Sequence, residues 1–164
     1  MLALGFGADF AGYDFETLKA EFLTYYADNV AVKTDFFDGV APALDALIAR
    51  NIPWGVVTNK PGFLTDPLLT HYRQFDKSLI AVSGDTLKVA KPNPEPLLHG
   101  VKALGIEAEQ CLYVGDAERD IQAGKRAGMK TAVAMFGYIE DKTEVADWQA
   151  DYHFDSLEQL LELV

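Results

Sequence analysis

Short apolar runs alternate with amphipathic stretches along most of the chain. The apolar runs predict strands in the stretches IPWGVVTNK, SLIAVSGD, CLYVGD, KTAVAMFG and DYHF. Apolar residues three or four positions apart predict helices in DFETLKAEFLTYYADNV, beginning near Asp14, and in APALDALIARN, GFLTDPLLTHY, PEPLLHGVKALGI, AERDIQAGKRAGM and SLEQLLELV. Pro67 is expected to break or offset the third of these helices. This alternation predicts an α/β fold with a Rossmann-like parallel sheet flanked by helices.

Polar residues that directly follow the predicted strands are the first candidates for a binding site, because parallel sheets bind ligands beyond the carboxyl ends of their strands. Thr58 and Asn59 follow WGVV, and their hydroxyl and amide groups can donate hydrogen bonds to a phosphate oxygen. The same residue types are favoured as helix N-caps. The sequence leaves both interpretations open.

Lys91 is the second candidate and lies in the stretch LKVAKPNPEPLL. It directly precedes Pro92, which disfavours helical backbone at the lysine itself. The lysine is therefore expected in a loop just ahead of a helix N-terminus. There its ammonium group can place a positive charge on a phosphate that also faces the helix dipole. The alternative is a solvated surface lysine.

Two aspartates in VGDAERD form the third candidate. Asp116 follows a predicted strand after Gly115, which allows a sharp turn, and its carboxylate is a hard oxygen ligand suited to Mg²⁺. Asp120 lies one helical turn later and can reach the metal through water or orient Lys91. The alternative is that Asp116 caps the helix and Asp120 offsets its dipole. Like charges at this spacing repel each other, which favours a cation between them, either Lys91 or a metal.

Composition sets bounds on partners and location. The chain has 164 residues, which suits one domain, and a formal net charge of −11. Nucleic acid and anionic membranes need a basic face, so neither is an expected partner, whereas a small anionic substrate can bind a locally positive site. One cysteine, Cys111, and the lack of an apolar run long enough to span a bilayer favour a cytoplasmic protein.

The three candidates follow one another in the order of three motifs of a known family. In VVTNK, KPNPEP and VGDAERDIQAGKRAGM the chain resembles the haloacid dehalogenase superfamily of phosphohydrolases. The resemblance implies that Thr58 and Asn59 bind a phosphoryl group and that Lys91 neutralises its charge. It also implies that Asp116 binds Mg²⁺ and that Asp120 supports the metal and the lysine.

Together with FGYI, these motifs look like those of the phosphoglycolate phosphatase subgroup, and a subgroup that hydrolyses N-acetylmuramic acid 6-phosphate fits about as well. The resemblance covers roughly residues 14–164. It implies a Mg²⁺-dependent phosphatase that acts on a small phosphorylated metabolite through an aspartyl-phosphate in the complete enzyme. A different hypothesis is a non-catalytic remnant that binds phosphate or a protein partner.

One motif of the family is absent. Its Asp-x-Asp-Gly-Thr, at the end of an N-terminal strand, supplies the nucleophile, and the nearest string, DFFDG at 35–39, has a different spacing and no apolar strand before it. The resemblance therefore predicts a partial helical cap and hinge over 1–38 and a core lacking its first strand over 39–164. We expect the chain alone to be inactive.

The absent strand is central in the family, between the strand that ends in Thr58 and the one that ends in Asp116. Its loss leaves backbone groups of both neighbours without partners. Three outcomes are open: a missing N-terminal segment completes the sheet, the two strands pair directly, or a second copy fills the gap in a homodimer.

Overall fold

The computed structural model describes residues 14–164. The chain divides into two compact units, one that ends at Asp35 and one that spans Phe36–Val164. Among residues 14–164, every helix is too short or too polar to cross a lipid bilayer.

The first unit contains helix α1, Phe15–Asp28. The Asp14 carboxylate accepts a hydrogen bond from the Thr17 N–H at 2.9 Å. An aspartate at this position satisfies one of the backbone donors that the first helical turn leaves unpaired. The predicted helix start near Asp14 is confirmed.

Strands and helices alternate along the second unit. Its helices are α2 Val40–Ala49, α3 Gly62–His71, α4 Glu95–Leu104 and α5 Glu118–Arg126. Its strands are β1 Val56–Val57, β2 Ala81–Val82, β3 Leu112–Gly115, β4 Lys130–Ala134 and β5 Tyr152–Phe154. Short 3₁₀ helices lie at Arg73–Lys77, Ala108–Gln110, Glu144–Trp148 and Leu157–Glu162.

The strands form two parallel sheets. β1 pairs with β2, and a second sheet has the order β3-β4-β5. Every pairing is parallel: Val56 lies opposite Ala81 in the first sheet, and Val114 lies opposite Ala132 in the second. The α/β fold with parallel strands flanked by helices, predicted from the alternating pattern, is confirmed.

Two hydrophobic clusters fix helix α5, one against helix α4 and the other against the larger sheet. One cluster joins Leu97 and Val101 of α4 to Ala123 of α5. The other joins Ile121 of α5 to Val133 of β4, and both side chains are fully buried. Burial of a side chain of this size stabilises the fold by about 1.5–3 kcal/mol. Helix α5, which carries the second aspartate of VGDAERD, is therefore firmly fixed on the sheet.

Two local predictions differ from the structure. The C-terminal stretch SLEQLLELV forms a 3₁₀ helix over Leu157–Glu162, started by the Ser156 hydroxyl, which accepts the Glu158 N–H at 3.3 Å. Its hydrogen bonds span three residues instead of four, and its six residues make about two turns. Helix α3 continues through Pro67, its sixth residue, which removes the one backbone hydrogen bond that an N–H at this position would donate.

β1 and β3 belong to separate sheets and do not pair with each other. Of the three outcomes considered for the neighbours of the absent strand, direct pairing is therefore not observed in residues 14–164. A cavity of about 450 Å³ lies between the two strands and is lined mainly by apolar residues, among them Trp54, Val57, Leu112 and Met129.

Candidate functional site

The ammonium group of Lys91 lies at the carboxyl ends of β1 and β3. Its Nζ is 2.9 Å from the Val57 carbonyl oxygen, 2.7 Å from the Tyr113 hydroxyl and 2.8 Å from Asp120 Oδ1. The side chain of Lys91 is only 8% exposed. The alternative of a solvated surface lysine is therefore wrong, because three oxygens surround a cation that is nearly removed from water.

Asn59 fixes the backbone of the loop that carries this lysine. Its amide Nδ2 donates to the Lys91 carbonyl at 3.0 Å, and its Oδ1 accepts the Lys91 N–H at 3.0 Å. The Lys91–Pro92 peptide bond is cis. The contacts with Lys91 use the Asn59 Oδ1 and one of the two Nδ2 protons, so the other proton can still donate, and phosphate binding by Asn59 stays a prediction. The side chain therefore positions the lysine loop.

Asp120 is the acidic partner of the lysine and is buried, with 5% of its surface exposed. Its Oδ2 accepts the Ala117 N–H at 3.2 Å, which closes the first turn of α5. Its Oδ1 makes a close ion pair with Lys91, although the angles lie outside those of a hydrogen bond. The sequence suggested that Asp120 either reaches a metal through water or orients Lys91. Its geometry suits the second role.

Asp116 lies outside this buried pair. The helix that follows it starts at Ala117 and Glu118, so Asp116 does not cap it. Its Oδ2 accepts the Tyr138 N–H at 3.0 Å from the loop after β4. A Cβ placed on Gly137 would lie 2.4 Å from Asp116 Cβ, so only glycine allows the loop to approach this closely. The carboxylate is held by one neutral donor and remains able to bind a cation.

Three aromatic rings cluster around Phe37, and one of them belongs to Tyr138, whose N–H binds Asp116. The ring of Phe37 lies 5.2 Å from the ring of Tyr138 and 5.7 Å from that of Phe136, both in edge-to-face arrangements. Tyr138 is 86% exposed and Phe37 is 38% exposed. The loop whose backbone binds Asp116 therefore also carries two rings of an aromatic cluster, Phe136 and Tyr138.

Thr58 continues β1 by one residue. Its N–H donates to the Val82 carbonyl at 2.8 Å, and its hydroxyl oxygen accepts the Lys60 N–H at 3.1 Å. Because the hydroxyl acts as an acceptor in that bond, its proton remains available for donation. Thr58 does not cap α3, whose N-cap is Pro61 and has no side-chain hydrogen bond.

The sequence analysis did not identify Tyr113. Its hydroxyl donates to the Val57 carbonyl at 3.0 Å and contacts Lys91 Nζ. A tyrosine in an apolar strand, whose hydroxyl needs a partner once buried, was the one available signal. Burial raises the pKa of Tyr113 well above its usual range, and the negative charges of Asp120 and Asp116 raise it further.

The raised pKa of Tyr113 predicts a loss of stability at alkaline pH. The unfolded chain releases the tyrosine proton above about pH 10, whereas the folded chain keeps it, so the free energy of unfolding falls as the pH rises through and above that value. Urea unfolding of the native chain and of Tyr113→Phe, measured from pH 8.5 to 11, should show a shallower alkaline decline in the variant. Equal declines in both proteins would contradict this assignment.

Comparison with known proteins places this geometry in a family. Residues 7–134 match the haloacid dehalogenase-like hydrolase family. The chain is 36% identical over its full length to an N-acetylmuramic acid 6-phosphate phosphatase of Pseudomonas aeruginosa, and covers 73% of that protein. It is 39% identical over 90% of its length to a phosphoglycolate phosphatase of Xanthomonas campestris pv. campestris, and covers 66% of that protein.

Solved structures agree with these matches. A crystal structure described as a predicted phosphoglycolate phosphatase, from Haemophilus somnus 129PT, superposes with a TM-score of 0.85 at 30% identity, covering 91% of this chain and 66% of that one. A HAD-superfamily hydrolase of subfamily IA from Geobacter sulfurreducens shares the fold, with a TM-score of 0.76 over 99% of this chain and 70% of that one, at 24% identity. The chain described here belongs to the haloacid dehalogenase-like hydrolase family.

Proposed function

We propose that the carboxyl edge of the sheet binds the phosphoryl group of a small phosphate monoester, as part of a phosphatase. The observation that carries this proposal is the buried Lys91 ammonium, which is held by Asp120 and contacts the carbonyl of Val57, the residue directly before Thr58. In a chain with a formal net charge of −11, a local cation of this kind is needed to attract an anionic substrate.

Each residue of the site has a distinct part in this proposal. The Thr58 hydroxyl donates to a phosphoryl oxygen, and Lys91 offsets the charge that grows on the phosphoryl group during transfer. Asp120 and the Asn59 side chain position the lysine from its two ends. In this scheme Asn59 contributes to phosphate binding through the backbone that it stabilises.

Mg²⁺ is the cation that fits the donors of the site. It takes one or two protein carboxylates and completes its shell with substrate oxygens and water. Asp116 offers one such carboxylate, and residues 14–164 contain no cluster of three or more His, Cys, Asp or Glu side chains that could hold a metal by themselves. Mg²⁺ would supply additional positive charge at the phosphoryl group, and we expect it to bind appreciably only together with phosphate.

For the substrate, we propose phosphoglycolate as the first candidate and N-acetylmuramic acid 6-phosphate as the second. Relatives that carry these two names match the chain about equally well. The exposed ring of Tyr138, whose N–H binds Asp116, and the ring of Phe37 that packs on it favour the second candidate, because a sugar ring offers an apolar face to aromatic side chains. In both alternatives the substrate is a small phosphorylated metabolite and the protein is cytoplasmic.

The 164-residue chain lacks the Asp-x-Asp-Gly-Thr motif that the family uses for its nucleophile, so we propose that it binds phosphate with negligible turnover. Two roles agree with this proposal. The chain is either a non-catalytic protein that binds phosphate or one part of a larger catalytic assembly. Robust Mg²⁺-dependent release of phosphate from either candidate substrate by the purified chain would contradict the proposed inactivity.

The binding proposal is tested by calorimetric titration of the chain with inorganic phosphate, with and without Mg²⁺. We expect Mg²⁺ to strengthen phosphate binding about tenfold or more, because the positive metal and the negative phosphate attract each other at a partly buried site. Asp116→Asn should abolish this coupling, because the amide offers a far weaker ligand to Mg²⁺. The control is Glu118→Gln, two residues away and exposed, which should keep it. Equal coupling in both variants would place the metal elsewhere.

A further inference from the structure

Arg126 lies in the last turn of helix α5 and has an exposed side chain. Its Nη1 donates a hydrogen bond to the Pro92 carbonyl at 2.8 Å, and its Nη2 donates to Gln122 Oε1 at 3.4 Å. Pro92 directly follows Lys91, the cation of the candidate site. The guanidinium group is therefore bonded to the residue next to the lysine, although 34 positions separate Arg126 from Pro92 in the chain.

The loop that carries Lys91 depends on side chains from other segments. Two of the four residues in KPNP at 91–94 are prolines, which have no N–H to donate. Within the loop, the Asn93 N–H donates to the Ala90 carbonyl at 3.0 Å. The backbone groups of Lys91 are bonded to the Asn59 side chain, and Arg126 bonds the next carbonyl along the chain. Asn59 and Arg126 therefore hold this loop from two sides.

Helix α5 contacts Lys91 and its neighbour from both of its ends. Asp120, in the first turn, pairs with the ammonium group at 2.8 Å, and Arg126, in the last turn, bonds the Pro92 carbonyl at 2.8 Å. Six residues of helix rise by about 9 Å, so one helix reaches both the side-chain end and the backbone end of the lysine. Ile121, which is fully buried, fixes the helix on the sheet. A rigid element with two such contacts can set where the charge of the lysine lies.

We propose that Arg126 is a positioning residue for the Lys91 ammonium and acts through the Pro92 carbonyl. This inference rests on the proposed function, which assigns Lys91 to the phosphoryl group. The lysine can offset the charge of a phosphoryl group only while its Nζ stays at the strand ends, and a shift of the loop backbone would carry Nζ with it. The bond from a guanidinium group is charge-assisted, and its planar fork of donors makes the bond directional.

Helix stability is the alternative explanation of an arginine at this position. A cation in the last turn of a helix interacts favourably with the helix dipole, whatever else it contacts. Lys125 is the matched control, because it is also exposed and lies in the same turn. Its Nζ donates to the Gln149 carbonyl at 3.2 Å, in a different loop. Replacement of either residue by methionine removes one charge and one bond to a carbonyl, so the two variants differ in the loop that is released.

Calorimetric titration with inorganic phosphate in the presence of Mg²⁺ compares the two variants. We expect the Kd to rise about three- to tenfold in Arg126→Met, because the cation is less well placed. In Lys125→Met the Kd should change less than about twofold, since salt screens an exposed charge. Arg126→Lys keeps the charge and one donor and should bind phosphate more tightly than Arg126→Met. Equal affinities in Arg126→Met and Lys125→Met would overturn the proposal.

Exchange of the Lys91 N–H with solvent tests the hold on the loop without phosphate. This N–H donates to Asn59 Oδ1 at 3.0 Å, and its exchange rate, measured by nuclear magnetic resonance, reports local opening of the loop. We expect the rate to rise about tenfold in Arg126→Met and to stay unchanged in Lys125→Met. The N–H of Val133, a fully buried residue of β4, reports unfolding of the core and should change less than that of Lys91. A residue that only stabilises the fold would change both rates alike.

The two measurements separate this proposal from the proposed function. Failure of phosphate to bind the native chain would reject the proposed function, and faster Lys91 exchange in Arg126→Met alone would still support the hold of Arg126 on the loop. Equal Lys91 exchange rates in Arg126→Met and Lys125→Met would overturn the positioning role, whatever the result with phosphate. Circular dichroism checks that each variant is folded. If Arg126→Met is not, Arg126→Gln, which also removes the charge, takes its place in both measurements.

Discussion

Replacement of Lys91 by methionine is expected to lower the free energy of unfolding by about 3–5 kcal/mol. The substitution keeps most of the apolar side-chain volume and removes the charge, which leaves the Asp120 carboxylate buried without its cation. Removal of one partner of a buried ion pair is costly because the remaining charge has lost both water and partner. Urea unfolding at pH 7 measures the change, and calorimetry should show that phosphate binding is lost as well.

Two further variants test whether the loss of stability comes from the broken ion pair between Lys91 and Asp120. The double variant Lys91→Met, Asp120→Asn removes both charges and should be more stable than Lys91→Met alone, which gives a favourable coupling energy in a double-mutant cycle. Lys130→Met is the matched control, because its ion pair with Asp151 is exposed and should contribute less than about 1 kcal/mol. A loss of stability in Lys91→Met no larger than in Lys130→Met would contradict the burial of the pair.

Gly115→Ala should lower the free energy of unfolding by about 1–3 kcal/mol and weaken phosphate binding. The φ angle of Gly115 lies outside the left-handed region, so alanine can adopt the backbone conformation and the effect is steric. Its Cβ would lie 2.4 Å from Asp120 Cβ and 2.7 Å from Asp120 Oδ2. Asp120 cannot simply move aside, because it is bonded to Ala117 and paired with Lys91. Overpacking of this kind forces shifts in the backbone.

The control for this steric effect is Gly100→Ala on α4. A Cβ at that position would contact Val57, Val82 and Ile80 at 3.6–3.9 Å, which is ordinary van der Waals contact. Alanine inside a helix is favoured over glycine by about 0.5–1 kcal/mol. Gly100→Ala should therefore leave stability unchanged or raise it slightly. Stability of Gly115→Ala equal to that of the native chain would show that Asp120 is free to move and does not orient the lysine.

Much of the fold followed from the sequence because its determinants are local. Each strand is a short apolar run and each α-helix has apolar residues at helical spacing, so parallel strands and flanking helices were both predicted. The strand ends also indicated the candidate site, since Thr58, Lys91 and Asp116 each stand directly after, or just beyond, an apolar run. The local signal was insufficient at the C-terminus, where the stretch predicted as a helix forms a short 3₁₀ helix over Leu157–Glu162.

Tertiary structure decided how these residues are used. The partners of Lys91 are separated from it by 34 residues at Val57 and 22 at Tyr113, and no local pattern reports such contacts. The sequence left open whether Asp120 reaches a metal or orients Lys91, and helix α5 buries Asp120 against the lysine and leaves Asp116 outside the pair. The cavity between β1 and β3 also depends on how separate segments pack. Apolar periodicity determines which segments become strands and helices, whereas burial and pairing between distant segments determine which polar groups meet.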